Sequence, residues 1–173
     1  MVKTIDQRIA ATIEGDFVVF LIGARINKWW KFHKFLPIGK AMGRMIEELK
    51  AQPELGLLHV ESWLGRTIVM VQYWRSFDDL HNYARQQDAE HLPAWAEFNR
   101  QVGSNGDVGI WHETYLVKAN QYEGIYNNMP EFGLAKAGTW QPATGKRNTA
   151  RGRLGETDGS DVPLSEKQAE QAY

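Results

Sequence analysis

Two extended, apolar segments, Leu57 to Leu64 and Thr67 to Trp74, are separated in this chain by only Gly65 and Arg66. A connection that short forces the chain to turn straight back, so the two segments are neighbours in an antiparallel sheet. Upstream, Phe17 to Ile26 (FVVFLIGARI) is a continuous β-branched and aromatic run closed by Asn27 and Lys28, and it reads as a central strand. Downstream, Val108 to Lys118 (VGIWHETYLVK) alternates and is rich in the same residue types, which makes a fourth strand.

Helical spacing fills the gaps between these strands. Pro37 suits the first turn of a helix whose apolar residues Ile38, Met42, Met45, Ile46 and Leu49 recur every three to four positions, and Pro53 and Gly56 close it. Ser76, with Asp79 three residues on, is a helix start, and Phe77, Leu80, Tyr83 and Ala84 form the buried stripe. After a break at Gln86 to Asp88, the residues His91, Trp95, Phe98 and Val102 predict a second helical piece, with Pro93 in its first turn. Strand, helix, strand, strand, helix, strand is the split βαβ order of an α+β, ferredoxin-like protomer: a four-stranded antiparallel sheet with the helices on one face. The other face is then apolar and bare, and burying it against a second copy predicts a homodimer. Apolar residues between Tyr122 and Trp140 have no period and read as an arm. Residues 1–140 are accordingly taken as one domain with its arm, and 141–173 as a polar, flexible tail.

Composition narrows the function classes. Lys and Arg (20) balance Asp and Glu (21) without long basic runs, so nucleic acid is not an expected partner. Absence of cysteine removes disulfides, thiolate metal sites and thiol nucleophiles, and it suits a reducing cytosol. Charges at Lys3, Asp6, Arg8 and Glu14 leave no apolar core for a secretory signal, and Phe17 to Ala24 is about a third of a membrane span. A soluble cytoplasmic protein without a membrane partner is the expectation.

The residues that carry chemistry are histidines and rings. His91 shares an apolar stripe with Trp95 and Phe98, where an imidazole is either put to use or bonded to a structural partner. His112 and Glu113 are strand neighbours and face opposite ways, His112 with Ile110 and Thr114, Glu113 with Trp111 and Tyr115. His59, Glu61 and Trp63 share a face of the second strand. They line one cavity with His112 if the register puts it on that face, and otherwise form a polar seam. Trp29, Trp30, Phe32 and His33 precede the first long helix and are placed to roof the space between helix and sheet, as aromatic walls around an apolar substrate. No nucleotide loop, dinucleotide fingerprint or zinc pattern occurs, so no nucleotide or metal cofactor is expected.

The stretch Tyr73 to Arg100 (YWRSFDDLHNYARQQDAEHLPAWAEFNR) resembles the third-strand and second-helix signature of the dimeric α/β-barrel superfamily that includes antibiotic-biosynthesis monooxygenases. With RINKWWKFHKFLP, GDVGIWHETYLV and YEGIYNNMPEFGLAKAG, the chain to about residue 140 is similar to the fumagillin-biosynthesis monooxygenase-like family. That resemblance implies two protomers sharing a dimeric α/β barrel. It also implies a monooxygenase-like oxidoreductase acting without cofactor on a small aromatic or apolar molecule. His91 and His112 are then the catalytic candidates, and Trp30, His33, His59, Glu61, Trp63, Tyr83, Trp95 and Phe98 the substrate-binding ones. Two alternatives come with it: a haem-dependent lyase or oxidising enzyme with His91 as axial ligand, and a dimeric module that binds a small molecule without turning it over.

Overall fold

The computed structural model describes residues 3–31, 36–86, 96 and 106–156. In chain order these form β1 (Ile5–Thr12), β2 (Phe17–Ile26), α1 (Leu36–Ala51), β3 (Leu57–Trp63), β4 (Thr67–Trp74), α2 (Phe77–Arg85), β5 (Val108–Val117), β6 (Ile125–Met129), α3 (Leu134–Ala137), β7 (Thr139–Pro142) and α4 (Ala150–Arg153). They fall into two compact units, one from Asp16 to Val117 and the other from the residues before and after it.

In the unit 16–117 the strands lie in the order β3-β4-β2-β5 and every pairing is antiparallel, as in a ferredoxin-like sheet. Alternation along β2 decides what is core. Val18, Phe20, Ile22 and Ala24 face the helices and meet Met42 and Leu49 of α1 and Leu80 and Tyr83 of α2 in two apolar clusters. Trp74 is the largest fully buried side chain of this core.

Local chemistry starts and stops the helices. After α1, Gly56 adopts φ 92°, which an L side chain rarely takes, and a Cβ there would come within 2.6 Å of the Asp79 side chain. Ser76 caps α2: its Oγ accepts from the Asp79 backbone N–H at 3.0 Å and donates to the Asp79 carboxylate at 2.7 Å. Arg75 grips the same carboxylate with two N–H donors at 2.9 and 3.0 Å. That hydrogen bonding holds the Asp79 carboxyl below its ordinary range, and the Ser76 hydroxyl adds to it. The pair is largely solvated, so it contributes little stability of its own. Its effect is to fix where α2 begins.

The four-stranded sheet carries α1 and α2 on one face as anticipated, but it does not close into a barrel. Among the described residues β3 and β5 each have one neighbour, with β4 and β2 between them, and no pairing joins the two outer strands. Closure demands that the outer strands meet through a common tilt and stagger, whereas these four strands leave two open edges. The dimeric α/β-barrel reading is therefore withdrawn.

The other unit contains a sheet of its own, order β6-β1-β7, both pairings antiparallel. Ile9, Ala10 and Ala11 of its central strand are buried. Tyr122 ties down the segment after β1, its hydroxyl accepting from the Ile13 N–H at 2.6 Å and donating to the Ile13 carbonyl at 2.7 Å. Residues 145–156, expected as the start of a tail, form a turn of 3-10 helix followed by α4, which Thr149 caps by accepting from the Gly152 N–H. Arg153 donates to Glu123 at 2.7 Å and Arg8 to Asn148 at 2.9 Å, tying this segment to the same unit.

Candidate functional site

Register sorts the candidate residues of the four-stranded sheet onto its two sides. On the helix side, Ser62, Met70, Ile22 and His112 lie in one cross-strand row, and Val60, Gln72, Phe20 and Thr114 in the next. On the opposite side the rows are His59–Tyr73–Val19–Tyr115, Glu61–Val71–Leu21–Glu113 and Trp63–Val69–Gly23–Trp111. His112 and the His59–Glu61 pair are thus on different sides and cannot line one cavity of this sheet.

The helix side has a covered part and an open part. Helices α1 and α2 pack over β3, β4, β2 and the start of β5, where Val108 and Ile110 join the α1 cluster, whereas farther along β5 the side chains of His112, Thr114 and Leu116 stay exposed. His112 lies tilted against Phe20, ring centroids 5.6 Å apart, with Ile22 paired opposite it on β2 and Ile110 two residues before it on β5. An exposed imidazole on an aromatic and aliphatic wall can hold or pass a proton to a flat organic molecule lying on that wall.

The far side carries two hydrogen-bonded pairs at its margins. His59 Nε2 lies 2.8 Å from Glu61 Oε1 on β3, and the Tyr115 hydroxyl donates to Glu113 at 2.6 Å on β5. Three strand spacings separate them, about 14 Å, so they do not act on one atom. The bond to Glu113, reinforced by its negative charge, raises the Tyr115 pKa. A phenol so held stays protonated and is a donor, not a base. Between the pairs run Val19, Leu21, Val69 and Val71, all half-buried.

The remaining candidates divide as follows. Tyr83 is a core residue of α2, its ring 5.9 Å from that of Trp74 and its hydroxyl donating to Glu48 of α1 at 2.7 Å. Trp30 is strongly exposed in the turn after β2, and Trp63 is partly exposed at the end of β3. His33, His91, Trp95 and Phe98 lie outside the described residues. One polar centre was not singled out in the sequence. Asp107, just before β5, is almost completely buried and accepts from Lys28 at 2.7 Å and from Lys31 at 2.9 and 3.1 Å. Its only trace in the sequence is the spacing of the two lysines after β2.

Residues 17–134, from the first residue of β2 to the start of α3, match the Monooxygenase af470-like family. The chain belongs to that family. It is the same family to which the sequence phrases point. Its curated member Monooxygenase af470 of Aspergillus fumigatus is 28% identical over 126 residues, a match that covers 66% of this chain and 44% of the relative. The chain therefore spans less than half the length of that relative. Among solved structures, an aldoxime dehydratase (OxdRE) in complex with butyraldoxime is similar with a TM-score of 0.61 at 14% identity, over 80% of this chain and 42% of the other. A second aldoxime dehydratase gives 0.60 at 13% identity, over 80% and 43%. At such identities the likeness is one of fold.

Proposed function

We propose that this chain is the small-molecule-binding part of an enzyme whose site lies on the helix side of the open sheet, against Phe20, Ile22, Ile110 and His112. The observation that carries this reading is the exposed His112 imidazole beside the Phe20 ring, toward the β5 margin of that side. Two chemistries suit it. Haem-dependent dehydration or oxidation is favoured by the likeness in fold to aldoxime dehydratases over most of the chain. Unaided oxidation of an electron-rich substrate is supported by the family match and its monooxygenase relative.

To a haem this strip would present the half-buried edges of Phe20, Ile22 and Ile110, which also pack against the helix clusters, with the exposed His112 imidazole beside them. Haem, when bound, would supply the iron centre at which the organic substrate reacts. In this reading His91, which lies outside the described residues, would hold the haem iron. Phe20 and the aliphatic residues exclude water, His112 holds or passes a proton at a ring nitrogen, and the neighbouring Thr114 hydroxyl orients a polar substituent. Without haem, the same side chains position the substrate and a histidine removes a proton, leaving a carbanion that passes its electrons to dioxygen. Titrating purified protein with haemin is expected to give a Soret band that His91→Ala removes and His112→Ala keeps. The His112 variant should lose turnover by about a hundredfold or more. Protein that takes up no haemin would discard the haem chemistry and leave the unaided one.

The far side of the sheet supports pairing with a second copy. Val19, Leu21, Val69 and Val71 form an apolar centre with polar pairs at its margins, the plan of a self-complementary interface. Light scattering on the eluting peak of a sizing column at micromolar concentration should give twice the chain mass. Leu21→Glu should return it to the single-chain value, and a native protein of single-chain mass would remove this reading.

A further inference from the structure

At the end of the sheet where β2 and β3 stop, four large apolar side chains remain exposed after folding: Trp29 at 53%, Trp30 at 73%, Trp63 at 46% and Leu64 at 84%. They belong to the turn after β2 and to the tip of the β3–β4 hairpin, and hydrogen bonds fix both. The Ile26 N–H donates to the Arg66 carbonyl at 3.0 Å, and Arg66 Nε donates back to the Ile26 carbonyl at 3.4 Å. Arg25 reaches Thr67 at 2.9 Å across β2 and β4. Beyond Ile26, the amides of Asn27 and Lys28 both donate to the Asp107 carbonyl, and the Lys28 and Lys31 ammonium groups close on its carboxylate. The rings are therefore presented by a braced frame.

Charge at this end has one sign. Among the described residues 25–31, 63–66 and 106–107, the cations Arg25, Lys28, Lys31 and Arg66 stand against the one carboxylate of Asp107, which is buried beneath the two lysines it binds. Tryptophan with lysine and arginine is the combination that settles at the boundary between lipid headgroups and acyl chains, and a leucine at a projecting tip adds apolar area below it. A hairpin tip and one short turn offer little area to a protein partner, which needs roughly 1,000 Å² or more in total. A bilayer needs no shaped counter-surface. No described helix is long and apolar enough to cross a membrane, so contact would be with its surface.

We propose that this end of the sheet, residues 25–31 with the hairpin tip 63–66, docks on an anionic lipid bilayer surface. Cations draw it to the headgroups, and Trp29, Trp30 and Leu64 enter the boundary region. The full chain should co-sediment with phosphatidylcholine vesicles containing roughly one part in five phosphatidylserine, and bind vesicles without it at least about tenfold more weakly. Binding should fall with added salt, and the tryptophan emission should shift to the blue. Leu64→Asp, at the exposed tip, and Trp30→Ser should each weaken it by about tenfold. Thermal melting of both variants checks that they fold, and the salt and lipid dependence of the native protein tests the idea even where they do not. Equal binding to both vesicle types, no binding to either, or folded variants that bind as the native chain does would overturn it. So would a Leu64→Asp variant that changes the mass in solution, which would give the patch to a second copy.

Discussion

Replacement of Asp107 by alanine should lower the unfolding free energy by about 3 kcal/mol. Its carboxylate has lost nearly all of its water and is compensated by two ammonium groups at hydrogen-bonding distance. Those lysines are more than a third exposed and can turn back to solvent, so the loss stays at the lower end for a broken buried ion pair. The carboxylate also fastens the turn after β2 to the start of β5, elements nearly eighty residues apart, so its removal frees the chain that carries Trp29 and Trp30. Urea titration should show a lower midpoint with unchanged slope, and Asp107→Asn, which keeps one acceptor, should fall between the two. A midpoint equal to that of the native chain would show that the ion pairs contribute nothing.

A loss of about 3 to 5 kcal/mol is expected for Trp74→Ala. The ring fills the space between β4 and the two helices, packed with Val18, Leu49, Leu80 and Tyr83. Its indole N–H also donates to Gln72 Oε1 at 2.8 Å, and Gln72 is itself buried on the helix side, so the variant takes away the donor of a buried amide. Trp74→Phe keeps most of the volume and loses that bond, at about 1 to 3 kcal/mol. Comparing melting temperatures of the two variants separates packing from hydrogen bonding, and equal losses would mean that the bond carries the stability.

The parts of this fold that a reader of the sequence can find are those set by local rules. Strands β2 and β4 occupy the residues expected, because a continuous apolar run and a two-residue turn leave little freedom. Ser76 caps α2 because a hydroxyl three residues before a carboxylate satisfies a backbone amide wherever it occurs. Strand β1 was missed: Asp6 and Arg8 break its pattern, and only Ile9, Ala10 and Ala11 are buried. Strands β6 and β7 are five and four residues long and carry no alternation, and β7 ends in a proline. In the site, alternation correctly put His112 with Ile110 and Thr114 and Glu113 with Trp111 and Tyr115. Whether His112 shares a side with His59 depends on pairings between strands about fifty residues apart, which no local rule supplies. Asp107 was invisible for the same reason, since nothing near it in sequence shows that two distant lysines will bury it.

The open sheet has a further consequence for how the protein behaves in a crowded solution. Among the described residues no strand pairs with the outer margin of β5, whose ten residues run in unbroken register with β2, and such an edge is a template for recruiting a foreign strand. At the other margin β3 is shorter, and its register slips between Leu57 and His59, which makes it a poorer template. What discourages growth at β5 is its side chains: Glu113 on one side and His112 on the other interrupt a stretch of valine, isoleucine, tryptophan and tyrosine that would otherwise be well suited to fibrillar stacking. The polar residues at the middle of this strand thus act as gatekeepers of solubility, whatever else they do.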